Sequence, residues 1–222
     1  MAPRQADAGN RHLAGFVAEK SNSSPRRKDE ILAMGDASRS ARSFEKIEKA
    51  DLIRLGEIAV DVLKRELARL HGMSELDEYS RIVNMCLCQG AAEHCLNYES
   101  GKSCGVNDFE VWAFFYPLEI FRFGNAEPVT ADFGPSKFGR NPLDPKTFEG
   151  RRVNVFWRAI PEDGPALDPD GPVRHYFRKS RSATACELRK NPALKVWPDN
   201  QVGEVMWNPR RFGAPGSYDP WE

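Results

Sequence analysis

The sequence predicts an α+β fold, a small mixed sheet with flanking helices, preceded by a disordered N-terminal arm. An amphipathic helical period runs through residues 43–71, strand-like segments lie near 109–115 and 152–158, and residues 1–42 lack any sustained apolar period. At 222 residues the chain suits one domain of ordinary size with tails. The division this suggests is an arm over 1–42, a domain over 43–207 and a tail over 208–222.

The arm is rich in Ser, Arg, Ala and Gly and carries the cluster Arg26-Arg27-Lys28. It reads as a solvated segment, with room for a short helical turn around Ile31 to Met34. From Ser43 onward, Leu52, Leu55, Ile58, Ala59, Val62, Leu63, Leu67 and Leu70 recur at intervals of three and four. That spacing gathers them on one helical face. Ser43 is the expected N-cap and His71-Gly72 the expected stop. Ser74 to Glu78 reads as a polar connection.

The next segment, Arg81 to Glu93, is ambiguous between helix and strand on periodicity alone. One reading is a single helix with a tolerated glycine. The other, favoured by Gln89-Gly90-Ala91-Ala92, is a buried strand, a tight turn and a helix beginning near Glu93. After Phe115 the prolines and glycines between Pro117 and Pro145 exclude long regular elements. Arg152 to Arg158 combines β-branched and aromatic residues and reads as a strand. Val173 to Lys179 and Ser182 to Lys190 read as short helices, the second N-capped by Ser182. Residues 191–222, with five prolines and three tryptophans, suggest an ordered tail held by aromatic anchors.

Charge and length narrow the function classes. Lys+Arg and Asp+Glu each number 32, so no global field draws nucleic acid or an acidic membrane. No uncharged apolar run approaches the roughly 20 residues needed to span a bilayer, and the first residues lack the apolar core of a secretory signal. The expectation is a cytoplasmic protein without membrane partners. Five cysteines, an odd number, fit reduced thiols better than a disulfide framework. Cys86, Cys88, Cys95 and Cys104 crowd around His94. A zinc site and simple core packing are both open. Cys-x-Cys is tight for a zinc knuckle, and the apolar neighbours of Cys86 and Cys88 favour packing.

The stretch that carries chemistry is Gly105-Val106-Asn107-Asp108-Phe109-Glu110-Val111-Trp112. On a strand, Asp108 and Glu110 share one face and Phe109 and Val111 the other. Two carboxylates so placed can hold a divalent cation. They can equally be the polar face of an edge strand, paired to Arg151, Arg152 or Arg158. Asp132-Phe133-Gly134 is no kinase signature, because the glycine-rich loop, strand lysine and catalytic-loop motif are absent. Lys137 and Arg140, with Arg151 and Arg152, are candidates for phosphate contact or for a solvated loop face.

In the order of these parts the chain resembles the nucleotidyltransferase superfamily, whose fold is shared with polymerase beta. There a strand and a Gly-rich turn lead into a helix, the next strand carries Asp-x-Asp or Asp-x-Glu, and a later strand adds a third carboxylate. Gln89-Gly90-Ala91-Ala92 looks like the turn, Asp108-Phe109-Glu110 like the pair, and Val153-Asn154-Val155 like the third-ligand strand. The region from about Asp51 to Trp207 also resembles a group of bacterial proteins sharing similar stretches, a likeness that brings no activity with it.

The family resemblance implies a small mixed sheet of nucleotidyltransferase type, Mg2+ as cofactor and a nucleoside triphosphate as partner. It implies transfer of a nucleoside monophosphate to a hydroxyl acceptor. Asp108 and Glu110 would ligate metal, Asn154 would help place the acceptor-side metal, Gly90 and Ser103 would admit phosphate, and Lys137 or Arg140 would neutralise charge. Two departures stand out. Gln89 precedes Gly90 where the family has Gly-Gly or Gly-Ser, and Asn154 stands where the family has a carboxylate. Asn offers a carbonyl oxygen but no negative charge, and it cannot take the nucleophile's proton. A catalytically impaired binding or protein-interaction module on the same scaffold is therefore the alternative.

Overall fold

A computed structural model describes residues 42–71, 82–116, 127–161 and 170–212. The arm, the 72–81 connection and the tail beyond 212 lie outside the described residues, as do the expectations that fall on them.

The first helix, α1, spans Lys49–His71. It buries Leu52, Leu55, Ala59, Val62, Leu63 and Leu67, the stripe that the three-and-four spacing selects. It starts six residues later than its expected cap. Ser43 is instead tied to Val106 in an isolated antiparallel bridge, which fixes the backbone there as extended. The true start is set by Asp51, whose carboxylate accepts the Glu48 N–H at 2.8 Å, the reciprocal half of a capping box.

Strand β1, Ile82–Cys88, runs directly into helix α2, Gln89–Asn97. The helix therefore begins four residues before Glu93. The turn between them needs the left-handed conformation of Gln89, at φ 60°. Strand β2 spans Phe109–Phe115, β3 Val129–Asp132 and β4 Arg152–Ala159. Helices α3, Gly171–Lys179, and α4, Ala183–Leu188, follow. Ser182 caps α4 by accepting the Ala185 N–H, as its position predicts.

The segment expected to be a tail instead supplies β5, Ala193–Trp197, and β6, Val205–Trp207, before a short helix α5 at Pro209–Phe212. Strand β5 lies beside β1, well inside the sheet. The lysine at its centre hides it from a pattern of apolar residues. Lys195 is 1% exposed and is held by Asp170, Glu204 and Gln201, so its charge is matched within the fold.

The sheet is six-stranded and mixed, in the order β3-β4-β2-β1-β5-β6. The β2–β4 pair is parallel and the others are antiparallel. The molecule is thus α+β with helices on both sheet faces. Phe109, Val111 and Ala113 of β2 enter a core shared with α1 and α2. Trp112 and Phe114 enter a second core under α3 and α4. This is the period-two alternation of a strand covered on both faces. Helix α1 sits so close to β5 that a Cβ at Gly56 would fall 2.1 Å from the Val196 carbonyl oxygen. Among the described residues no helix is long and apolar enough to cross a membrane.

Candidate functional site

The end of β1, the start of α2 and the start of β2 meet at one rim of the sheet. There a cavity of about 200 Å³ is lined by Gln89, Gly90 and Ala91 on one side and by Asp108 and Glu110 on another. Gly90 is exposed, and a Cβ there would meet nothing within 4 Å, so the backbone at the helix start is open to a ligand. Arg42 and Gly105 close a third wall.

Asp108 stands just before β2, with Glu110 two residues on, and the Phe109 side chain buried between them on the other face. Strand β2 is interior, not an edge, since β4 and β1 flank it. The parallel register with β4 places Asn154 level with Glu110. Asp108 Oδ2 accepts from Asn154 Nδ2 at 2.9 Å and from Arg152 Nη2 at 3.0 Å. Arg152 thus pairs with the motif itself.

Burial, and then the charge of Asp108, push the Glu110 carboxyl above its ordinary value; the Trp112 N–H and Arg152 draw it partly back. Trp112 Nε1 is buried and meets no acceptor at hydrogen-bond distance and angle among the described residues. Its pull on Glu110 is that of a nearby dipole. Arg152 Nε is likewise buried without an acceptor. Within the cavity, then, two carboxylates crowd each other, a repulsion that a bound cation would relieve.

The walls are fixed by long-range contacts. His94 on α2 is fully buried; its Nδ1 accepts the Gly105 N–H at 3.1 Å, leaving Nε2 to donate to the Glu45 carbonyl at 2.9 Å. Both imidazole nitrogens are thus used to hold backbone. The Cys104 thiol donates to the Gly90 carbonyl at 3.2 Å, and Arg42 Nη1 donates to the Cys104 carbonyl at 2.9 Å. Arg151, 5% exposed, donates to the carbonyls of Phe138 and Asn107 and so anchors the approach to Asp108. These contacts span 11 to 62 positions of sequence, which is why spacing along the chain gives no sign of them.

The other expected site residues lie elsewhere. Lys137 is paired with Glu48 and Asp51 at the start of α1, and it does not line the cavity. Arg140 is exposed on its loop, and neither it nor Ser103 is among the lining residues. Cys86 and Cys88 are buried in the second core, where burial drives the Cys86 thiol well up in pKa and the Cys88 thiol likewise. Among the described residues no group of three or more His, Cys, Asp or Glu is placed to hold a metal ion. A cation at Asp108 and Glu110 would therefore need a ligand's own oxygens to complete its shell.

The chain matches no protein-family model, no curated protein and no solved structure.

Proposed function

We propose that this is a nucleotidyltransferase-like binding protein that takes a nucleoside triphosphate with one Mg2+ in the Asp108–Glu110 cavity, and that nucleoside monophosphate transfer is suppressed. The observation that carries this reading is the meeting of Gly90, Asp108 and Glu110 in a single cavity. One wall is the start of a helix, whose first N–H groups have no intrahelical acceptor and suit phosphate oxygens. The facing wall has two carboxylates, which suit a cation. A Mg2+–phosphate unit has both characters.

When bound, Mg2+ would neutralise the triphosphate and polarise its phosphorus–oxygen bonds. Asp108 and Glu110 would hold it, and the charge crowding at Glu110 would be relieved. For transfer, a residue must also take the acceptor hydroxyl's proton. Asn154 cannot, and its amide is spent on Asp108. Arg152 donates to the same Asp108 oxygen as Asn154, so that oxygen already serves two donors. Support for binding without transfer rests on those two contacts.

Titration calorimetry of the four ribonucleoside triphosphates, with and without Mg2+, tests this on the intact protein and on Asp108→Ala. Mg2+-dependent binding that disappears in the variant is expected. Absence of any binding by the intact protein would overturn the proposal.

A further inference from the structure

We propose that Phe44 and Arg42 form a stacking platform for the nucleobase at the mouth of the cavity; this rests on the reading of the cavity as a triphosphate site. A cavity of about 200 Å³ is smaller than the 300–1,000 Å³ of typical sites for whole small molecules. It accommodates phosphates and a cation but leaves the sugar and base outside. The base must then lie against whatever borders the opening.

Among the described residues, Phe44 lies over Gly105, a residue of the cavity wall, and Arg42 lines that wall itself. The Ser43–Val106 bridge, with N–H to O distances of 2.9 and 2.7 Å, makes this short stretch extended. Its alternation sends Arg42 and Phe44 to the same side. Both lie over Gly105: a Cβ there would sit 2.9 Å from the Arg42 Cβ and 3.0 Å from the Phe44 Cζ. Gly105, at φ +74°, is both the backbone turn and the gap that lets these side chains settle beside the cavity that Arg42 and Gly105 line.

Phe44 is 56% exposed, whereas the core phenylalanines are buried. Its ring stands edge-on to the buried His94, with centroids 6.5 Å apart and planes at 72°. One edge is therefore supported while much of the ring stays open to solvent. Arg42 is tethered through Nη1 to the Cys104 carbonyl, and its Nε has no acceptor among the described residues. An open ring, with a guanidinium tethered on the same side of the extended stretch, suits a flat, electron-rich heterocycle. Stacking on a phenyl ring reads the face of a base and not its edge, so it should tolerate all four bases, with purines favoured by area.

Calorimetry with Mg2+–ATP and with Mg2+–tripolyphosphate, which lacks base and sugar, separates the platform from the cavity. The intact protein should bind ATP more tightly than tripolyphosphate. Phe44→Ala should weaken ATP at least about fivefold, the low end for one base–aromatic stack, and leave tripolyphosphate unchanged. Phe44→Trp should keep ATP binding and show that the ring, not the fold, is at issue. If ATP affinity is unchanged in Phe44→Ala, or if both ligands weaken alike, the platform is overturned and the triphosphate cavity stands. Equal affinity of the intact protein for the two ligands has the same meaning. If the intact protein binds neither, both proposals fall.

Discussion

Asn154 donates its side-chain N–H to Asp108 Oδ2 across 2.9 Å, from a strand that runs parallel to β2 and stands level with Glu110. A carboxylate at position 154 would face Asp108 as a like charge; the amide instead satisfies it. With Arg152 on the same oxygen at 3.0 Å, Asp108 is stabilised without any metal.

Asn154→Asp should reverse this. The hydrogen bond is lost and two carboxylates meet at a partly buried position, so stability at neutral pH should fall by about 1–3 kcal/mol. Mg2+ should restore part of the loss, and so should acid, because protonating either partner removes the repulsion. Thermal unfolding with and without Mg2+ measures both effects. A variant as stable as the parent and indifferent to Mg2+ would show that residue 154 does not face the metal position.

Glu110 sets a pH dependence of definite sign. Its carboxyl is raised from 4.5 by burial and then by Asp108, so the native state binds the proton more tightly than the unfolded chain. Stability therefore falls as pH rises through the interval above 4.5. Asp132 works in the opposite direction. Burial alone would raise it, but the N–H groups of Gly134, Glu149 and Gly150 outweigh burial and lower it from 3.8. Its contribution is present above 3.8 and is lost as pH falls through the lowered value. The two windows do not overlap. Glu110→Gln should flatten the melting profile above the ordinary glutamate value, raise the melting temperature at pH about 7, and at the same time weaken Mg2+-dependent binding.

How much of this was legible in the sequence differs from part to part. The shared face of Asp108 and Glu110 was readable from the period of two, whereas the strand and helix through Gly90 were ambiguous on periodicity and favoured only by Gln89-Gly90-Ala91-Ala92, with the helix beginning at Gln89 and not near Glu93. Strand β4 was expected over 152–158 and spans Arg152–Ala159. Ser43 was expected to cap a helix, since a serine before an apolar period looks the same whether it caps or pairs. Its pairing with Val106 is a long-range contact. Strand β5 was missed because Lys195 breaks its apolar run, and Asp170, Glu204 and Gln201, brought in by the fold, make a buried lysine tolerable. The cavity walls at Gly105 and Arg42 depend on His94 and on the Cys104 carbonyl, 11 and 62 positions away, and no local pattern foretells them.

Lys195→Met tests that burial. It leaves Asp170, 7% exposed, without its closest cation, although Arg174 remains at 3.3 Å. Breaking a buried pair from one side costs about 3–5 kcal/mol, and the remaining arginine places the expected loss near the lower figure. Urea unfolding monitored by tryptophan fluorescence would measure it. A loss below about 1 kcal/mol would mean that the lysine is held by packing of its stem and not by its charge.

The most direct test of the central claim replaces Mg2+ by Mn2+ and follows the metal itself. Electron paramagnetic resonance of Mn2+ with ATP, titrated with the intact protein and with Glu110→Gln, reports whether the cation enters a protein site. The account predicts a saturable protein-bound Mn2+–ATP signal that Glu110→Gln removes. A spectrum of Mn2+–ATP unchanged by the intact protein, or one equally altered by Glu110→Gln, would contradict it.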